Sequence, residues 1–301
     1  MAYEVNRILT KITVPIALFG IIGNSLVIIS ILRRRSLLTS NYYFLVLNLA
    51  ICDGTLLVLD FMAMITQLHI KSFTATKTYC FVSATRYILS EAGALMMLNI
   101  SILRYRASAY PLKTPISKRR LKMICVIVYI ASFILGYVLY VPYCTDNNER
   151  NVILKIQRFV LIFGFFLCNI AIGVIYYRIA RVLHNQRNKF NISQDQNAVT
   201  SSFIKQRYRR NRKIFCVCCM TFIFYTIGHT PTAIAFLLHM IRYLTYSSST
   251  FYIARLLRIF ALHAINPLIY GLGDRKLLIF WRNCRRKKAN VCQDTTIETN
   301  V

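Results

Sequence analysis

Residues 42–68 read YYFLVLNLAICDGTLLVLDFMAMITQL, 27 positions in which only Asp53 and Asp60 carry a charge. A helix needs about 20 predominantly apolar residues to cross the hydrocarbon core of a bilayer, so this stretch is long enough to span one. Carboxylates are costly in lipid, and the two acids must therefore face other protein rather than acyl chains. Working outward, comparable apolar stretches fall at 8–32, 79–103, 121–143, 153–177, 214–241 and 250–272. The reading is an all-α, seven-transmembrane helix bundle. The composition agrees: 56% hydrophobic residues, 16% charged residues and a mean hydropathy of +0.48 are too apolar for an ordinary soluble domain of 301 residues. Residues 1–10 are expected to form a short extracellular N-terminus, 11–272 the membrane domain, and 273–301 an amphipathic helix and cytoplasmic tail. The first stretch lacks a small-residue cleavage site and reads as a retained helix, not a signal peptide.

A formal charge of +28 suggests nucleic-acid binding until the charges are located. Of the 38 Lys and Arg, 27 fall on one side of the expected membrane, 8 on the other and 3 within spans. Basic residues collect in cytoplasmic loops, which puts the N-terminus outside and the tail inside. The Arg33–Arg35 run and Arg285, Arg286, Lys287 and Lys288 would lie at an anionic leaflet, each worth about 1 kcal/mol of attraction. The expected partner of this charge is the lipid bilayer, and no nucleic acid is expected.

The 10 cysteines sort by compartment. Six lie in apolar stretches, where a thiol is a small packing group. Cys80 and Cys144 are the two on the oxidising outer side, and a single bridge between them is the natural pairing. Cys284 and Cys292 follow an amphipathic stretch at the inner face and are candidates for palmitoylation, with plain free thiols as the alternative.

Polar residues inside the spans are few and patterned. The first helix carries Gly23-Asn24-Ser25-Leu26-Val27, and the second Asn48-Leu49-Ala50-Ile51-Cys52-Asp53. The third ends Ser101-Ile102-Leu103-Arg104-Tyr105 and runs on to Tyr110-Pro111-Leu112. The seventh contains Asn266-Pro267-Leu268-Ile269-Tyr270. In this order and at these separations, with Cys80 and Cys144, the motifs resemble those of the rhodopsin-like family of G-protein-coupled receptors over nearly the whole chain.

The resemblance implies a plasma-membrane receptor that transmits an extracellular ligand signal to a heterotrimeric G protein, with arrestin as a further candidate partner. It implies an activation core of Asn24, Asp53, His263, Asn266, Pro267 and Tyr270. It implies a coupling face of Arg104, Tyr105, Pro111, Leu112 and Tyr176. Pro231 and Pro267 should kink the sixth and seventh helices. No catalytic residue, metal or cofactor is expected.

Departures from the family pattern are informative. Leu103 stands where an acid usually precedes the third-helix Arg, and the inner end of the sixth helix, Arg207 to Lys213, offers no carboxylate to hold Arg104. A weakly held inactive state with high basal signalling follows, and loss of coupling is the competing reading. Gly228-His229-Thr230-Pro231 replaces the usual Cys-Trp-x-Pro. His263 falls near Asp53, and Gly93 stands where a polar third-helix ligand is expected, so a protonated His263 is a candidate for the place of the sodium ion many members bind. Tyr129 and Cys168 replace a usual Trp and Pro.

Helical angles of about 100° per residue place Arg86, five turns before Arg104, on the same inward face. The same arithmetic groups Asp60 and Gln67 with Asp53, Arg255 with Asn266, and His229 with Phe236. A ligand pocket of Arg86, Asp60, Gln67, His229, Phe236 and Arg255 is expected. An Arg in a low-dielectric pocket favours an anionic small molecule or a peptide carboxylate; a purely structural Arg86–Asp60 pair is the alternative. Arg86 also replaces the Asp of amine receptors, and residues 250–272 lack the Lys that retinal requires. A transporter or channel would show internal repeats, which are not found. An enzyme would show a nucleophile and base at a recognisable spacing, and none is found. A seven-helix binder that does not couple remains the third reading.

Overall fold

The computed structural model describes residues 2–70, 77–110, 114–145, 150–192, 198–240 and 249–273. The described backbone is helical and forms seven crossing segments: Ala2–Leu32, Asn41–His69, Lys77–Ala109, Lys118–Thr145, Arg150–Ile192, Ala198–Met240, and a composite seventh running from Ser249 to Gly273. A four-residue helix, Arg35–Leu38, turns the chain at the first inner connection. There the Lys118 ammonium donates to the Leu38 carbonyl (2.8 Å), tying two inner connections together.

Six segments are long and apolar enough to cross a membrane. The seventh such segment expected from sequence, the third span, is long enough but more polar, because Arg86, Glu91 and Arg104 all lie within Lys77–Ala109. Its position supplies the physical reason that lipid tolerates this: it packs against the second, fourth and fifth spans and so has protein, not acyl chain, on most of its circumference. The ring closes because the seventh span packs against both the sixth and the first. Side chains on the outer surface alternate sharply with those inside. Ile170 of the fifth span is 63% exposed whereas Ile172 is fully buried, as a helix with lipid on one side and protein on the other requires.

Helices run past the expected apolar stretches in two places. The first helix begins at Ala2, so it extends back from the apolar span at Ile8 into the residues expected as an extracellular segment. The basic inner connection expected as a loop over about 184–208 is largely helical, the fifth helix continuing to Ile192 and the sixth starting at Ala198. That stretch contains neither Gly nor Pro, so both helices can run on past their apolar parts. The expected eighth helix, with Cys284 and Cys292, lies outside the described residues.

The seventh span changes geometry midway: an α-helix Ser249–Arg258, a π-helical turn Ile259–Ala264, and a second α-helix Asn266–Gly273. Pro267 is the cause. It has no N–H to offer the carbonyl four residues back, and its ring pushes that carbonyl away. The carbonyl is that of His263, and it is recaptured by the Asn24 amide of the first span at 3.0 Å.

Candidate functional site

Mid-membrane, the second span presents Asp53 and the seventh presents His263 and Asn266, all buried. The Asp53 carboxylate is fully engaged. Its Oδ1 lies 2.7 Å from His263 Nδ1, and its Oδ2 accepts from the Asn266 amide at 2.9 Å. Asn24 joins through the His263 carbonyl and not through Asp53 itself. Each Asp53 oxygen has one partner from the seventh span, and Gly93 of the third span, whose Cβ would stand 3.9 Å from Asp53 Oδ1, brings no side-chain oxygen to the cluster. Tyr270, one turn beyond Asn266, is buried with a hydroxyl that has no hydrogen-bond partner among the described residues.

A second polar contact stitches the second and fourth spans. The Tyr129 hydroxyl donates to Asn48 Oδ1 (3.3 Å) and lies 3.4 Å from the Cys52 sulfur. Tyr129 replaces the family's usual Trp, and its phenol reaches both groups.

At the inner mouth, Arg104 has no acid in ion-pair contact among the described residues, and its guanidinium carbon lies 3.4 Å from the centre of the Tyr42 ring. A cation over an aromatic face is worth about 0.5–2 kcal/mol, so an aromatic of the second span takes the place of the absent carboxylate. Arg104 borders a small cavity with Ile179, Asn211, Phe215 and Cys218. Tyr176 of the fifth span is buried there, accepting from the Ser101 hydroxyl at 2.9 Å and edge-on to Phe222. Tyr105 packs edge-on to Tyr110. Pro111 and Leu112 lie outside the described residues.

In the outer half, the six residues grouped by helical angle do not form one cavity. Arg86 and Arg255 both pair with a single oxygen of Asp60, the Arg255 contact at 3.0 Å. Asp60 is fully buried, so one carboxylate of the second span ties together the third and seventh. Gln67 lies further along the second span, half-buried. His229 and Phe236 instead line a separate cavity between the third, fifth, sixth and seventh spans, together with Glu91, Phe165, Tyr225 and Arg258. His229 packs between the rings of Tyr225 (4.6 Å) and Phe165 (5.2 Å). Close by, Thr226 of the sixth span donates to Asn169 of the fifth at 2.9 Å. Above, Cys80 is disulfide-bonded; the side chain of Cys144, its expected partner, lies outside the described residues.

Sequence reasoning missed Tyr42, Glu91 and Arg258. For the last two the signal was present, since each is a charged residue inside an apolar stretch.

Comparison with known proteins places this architecture. The 7 transmembrane receptor (rhodopsin family) profile matches residues 23–270. An alpha-1A adrenergic receptor of Oryzias latipes is 37% identical over 124 residues, which is 40% of this chain and 26% of that protein. The human neuropeptide S receptor is 30% identical over 119 residues, 39% of this chain and 32% of that receptor. The chain thus spans about a quarter to a third of the length of these relatives. Squid rhodopsin superposes with a TM-score of 0.75 at 18% identity, over 91% of this chain and 83% of that one, a likeness of fold. Since the profile runs from Gly23 of the first span to Tyr270 of the seventh, the chain belongs to the rhodopsin family of seven-transmembrane receptors and is a receptor, not an enzyme.

Proposed function

We propose that this receptor sits in the plasma membrane with its N-terminus outside, binds a ligand in the outer half of the bundle and activates a heterotrimeric G protein at the inner face. The observation that carries the reading is the setting of Arg104. It stands at the mouth of the inner cavity, held by a ring face instead of an ion pair, with Tyr176 and Tyr270 buried alongside. A guanidinium restrained by a cation–π contact needs little free energy to be released toward a partner. Basal signalling is therefore high. Arrestin is a second candidate partner for the same face.

The ligand carries an acidic group. Arg86 and Arg255 already share Asp60, so the guanidinium available to it is Arg258, which has no carboxylate in ion-pair contact among the described residues. The adrenergic and neuropeptide S relatives point to different ligands and do not choose between them.

The test is G-protein activation without added ligand in cells expressing the wild-type chain or Arg104→Ala, across several G-protein subtypes. Basal activity about tenfold above that of the variant is expected, the ratio for about 1.4 kcal/mol of lost coupling. Equal activity in both would favour a seven-helix binder that does not couple, a reading kept open by Leu103.

A further inference from the structure

Glu91 and Arg258 line one cavity from opposite sides, the third span and the seventh. They are close enough for the Arg258 charge to act on Glu91, yet they make no ion pair with each other, and neither has a charged partner in contact among the described residues. This contrasts with Asp60, whose charge is taken twice. A carboxyl group and a guanidinium held apart across a cavity offer an ammonium site on one wall and a carboxylate site on the other. Between them the lining is aromatic: Phe165, Tyr225 and Phe236, with the His229 imidazole stacked among the first two.

The outer half as a whole reinforces the carboxylate end. Among the described residues, the acids near Arg86, Arg255 and Arg258 are Asp60 and Glu91, and Arg258 lies within electrostatic range of the Asp60 cluster as well as of Glu91. A cation alone would add to an excess of positive charge, whereas an anion alone would engage Arg258 and leave the Glu91 carboxyl group on the facing wall unused. Resting on the ligand-pocket reading above, we propose that the ligand is a small aromatic zwitterion, of the class of aromatic α-amino acids, with its ammonium on Glu91, its carboxylate on Arg258 and its ring against Phe165, Tyr225 and Phe236.

The experiment uses the full chain in lipid nanodiscs and three matched probes: L-phenylalanine, 2-phenylethylamine with the carboxylate removed, and 3-phenylpropionate with the ammonium removed. Thermal unfolding is followed at rising concentration of each. A ligand that binds only the folded state raises Tm, by about 5 °C near a hundredfold excess over Kd. L-phenylalanine is expected to raise Tm, and each singly charged probe to need at least tenfold more for the same shift. E91Q and R258Q should each remove the advantage of L-phenylalanine over the probe lacking the matching charge. No shift with L-phenylalanine, or equal shifts from all three probes in the wild-type chain, overturns the proposal without recourse to any variant. Nucleotide exchange on added G protein is measured in the same samples. A shift without exchange removes the coupling reading and leaves this one, and basal exchange without a shift does the reverse.

Discussion

Asp53 and His263 meet in a place where neither would be stable alone. A buried carboxylate stripped of partners is among the most destabilising single features a protein can carry, and here both oxygens are satisfied by the seventh span. Replacing His263 by Ala should therefore lower thermal stability markedly, as should Asp53→Asn, which weakens the acceptor. Made together the two should cost less than their sum, by a coupling of about 0.5–3 kcal/mol. Thermal unfolding of the four proteins measures it, and strict additivity would show that the 2.7 Å contact contributes nothing. The Asp53 and Asn266 pairing was legible in sequence because the motifs fix both helices at the same depth. Tyr42 over Arg104 was not, since any of several residues at the inner ends could have filled the gap left by Leu103, and only the packing of the second span against the third selects one. Glu91 escaped for a geometric reason. It lies about 140° around the helix from Arg86, so arithmetic anchored on one inward face looks past a second cavity on another side of the same helix.

Elements meet here at distances set by glycine. A Cβ on Gly20 of the first span would stand 2.8 Å from the Cα of Ala264 in the seventh, and one on Gly228 would stand 2.7 Å from Leu262 Cγ. These are the contacts through which the seventh span packs against both the first and the sixth. Gly20→Ala meets backbone that cannot swing aside, and it should destabilise the bundle by about 1–3 kcal/mol through overpacking. Gly164→Ala is the internal control. Nothing lies within 4 Å of its added Cβ, so a methyl there should be neutral or stabilising by up to about 1 kcal/mol. Thermal unfolding of the two variants in one detergent decides the matter; equal gains would mean that helix propensity, not close approach, governs these positions. An interruption of the α-helix near Pro267 could be expected from sequence, whereas its form, a π turn, could not. Proline dictates that the His263 carbonyl is lost to the helix, but whether the chain bends or inserts an extra residue depends on the Asn24 amide that receives that carbonyl.

Over the whole molecule, charge is segregated by depth. The Lys and Arg of the expected cytoplasmic side outnumber those of the outer side 27 to 8, while the three within spans sit beside Asp60 and Glu91. This large-scale order was the most legible feature of the sequence, because hydropathy and loop charge are summed over many residues and survive local errors of boundary. The third span illustrates the limit: three charged residues lower its hydropathy, and only its central packing reveals why it can still cross. Orientation then follows from where basic residues resist translocation. An epitope placed before Ala2 should be stained on intact cells, and one placed after Val301 only once the membrane is permeabilised. Removing the basic charges of the first inner connection, Arg33, Arg34 and Arg35 to Gln, leaves the other 24 inner charges in place and should keep that pattern. Three losses against so large a surplus cannot invert the bias, provided orientation is set by the sum over inner loops. A mixed population in that variant would instead mean that the first connection alone sets the topology, with the later spans inserting against their own charge.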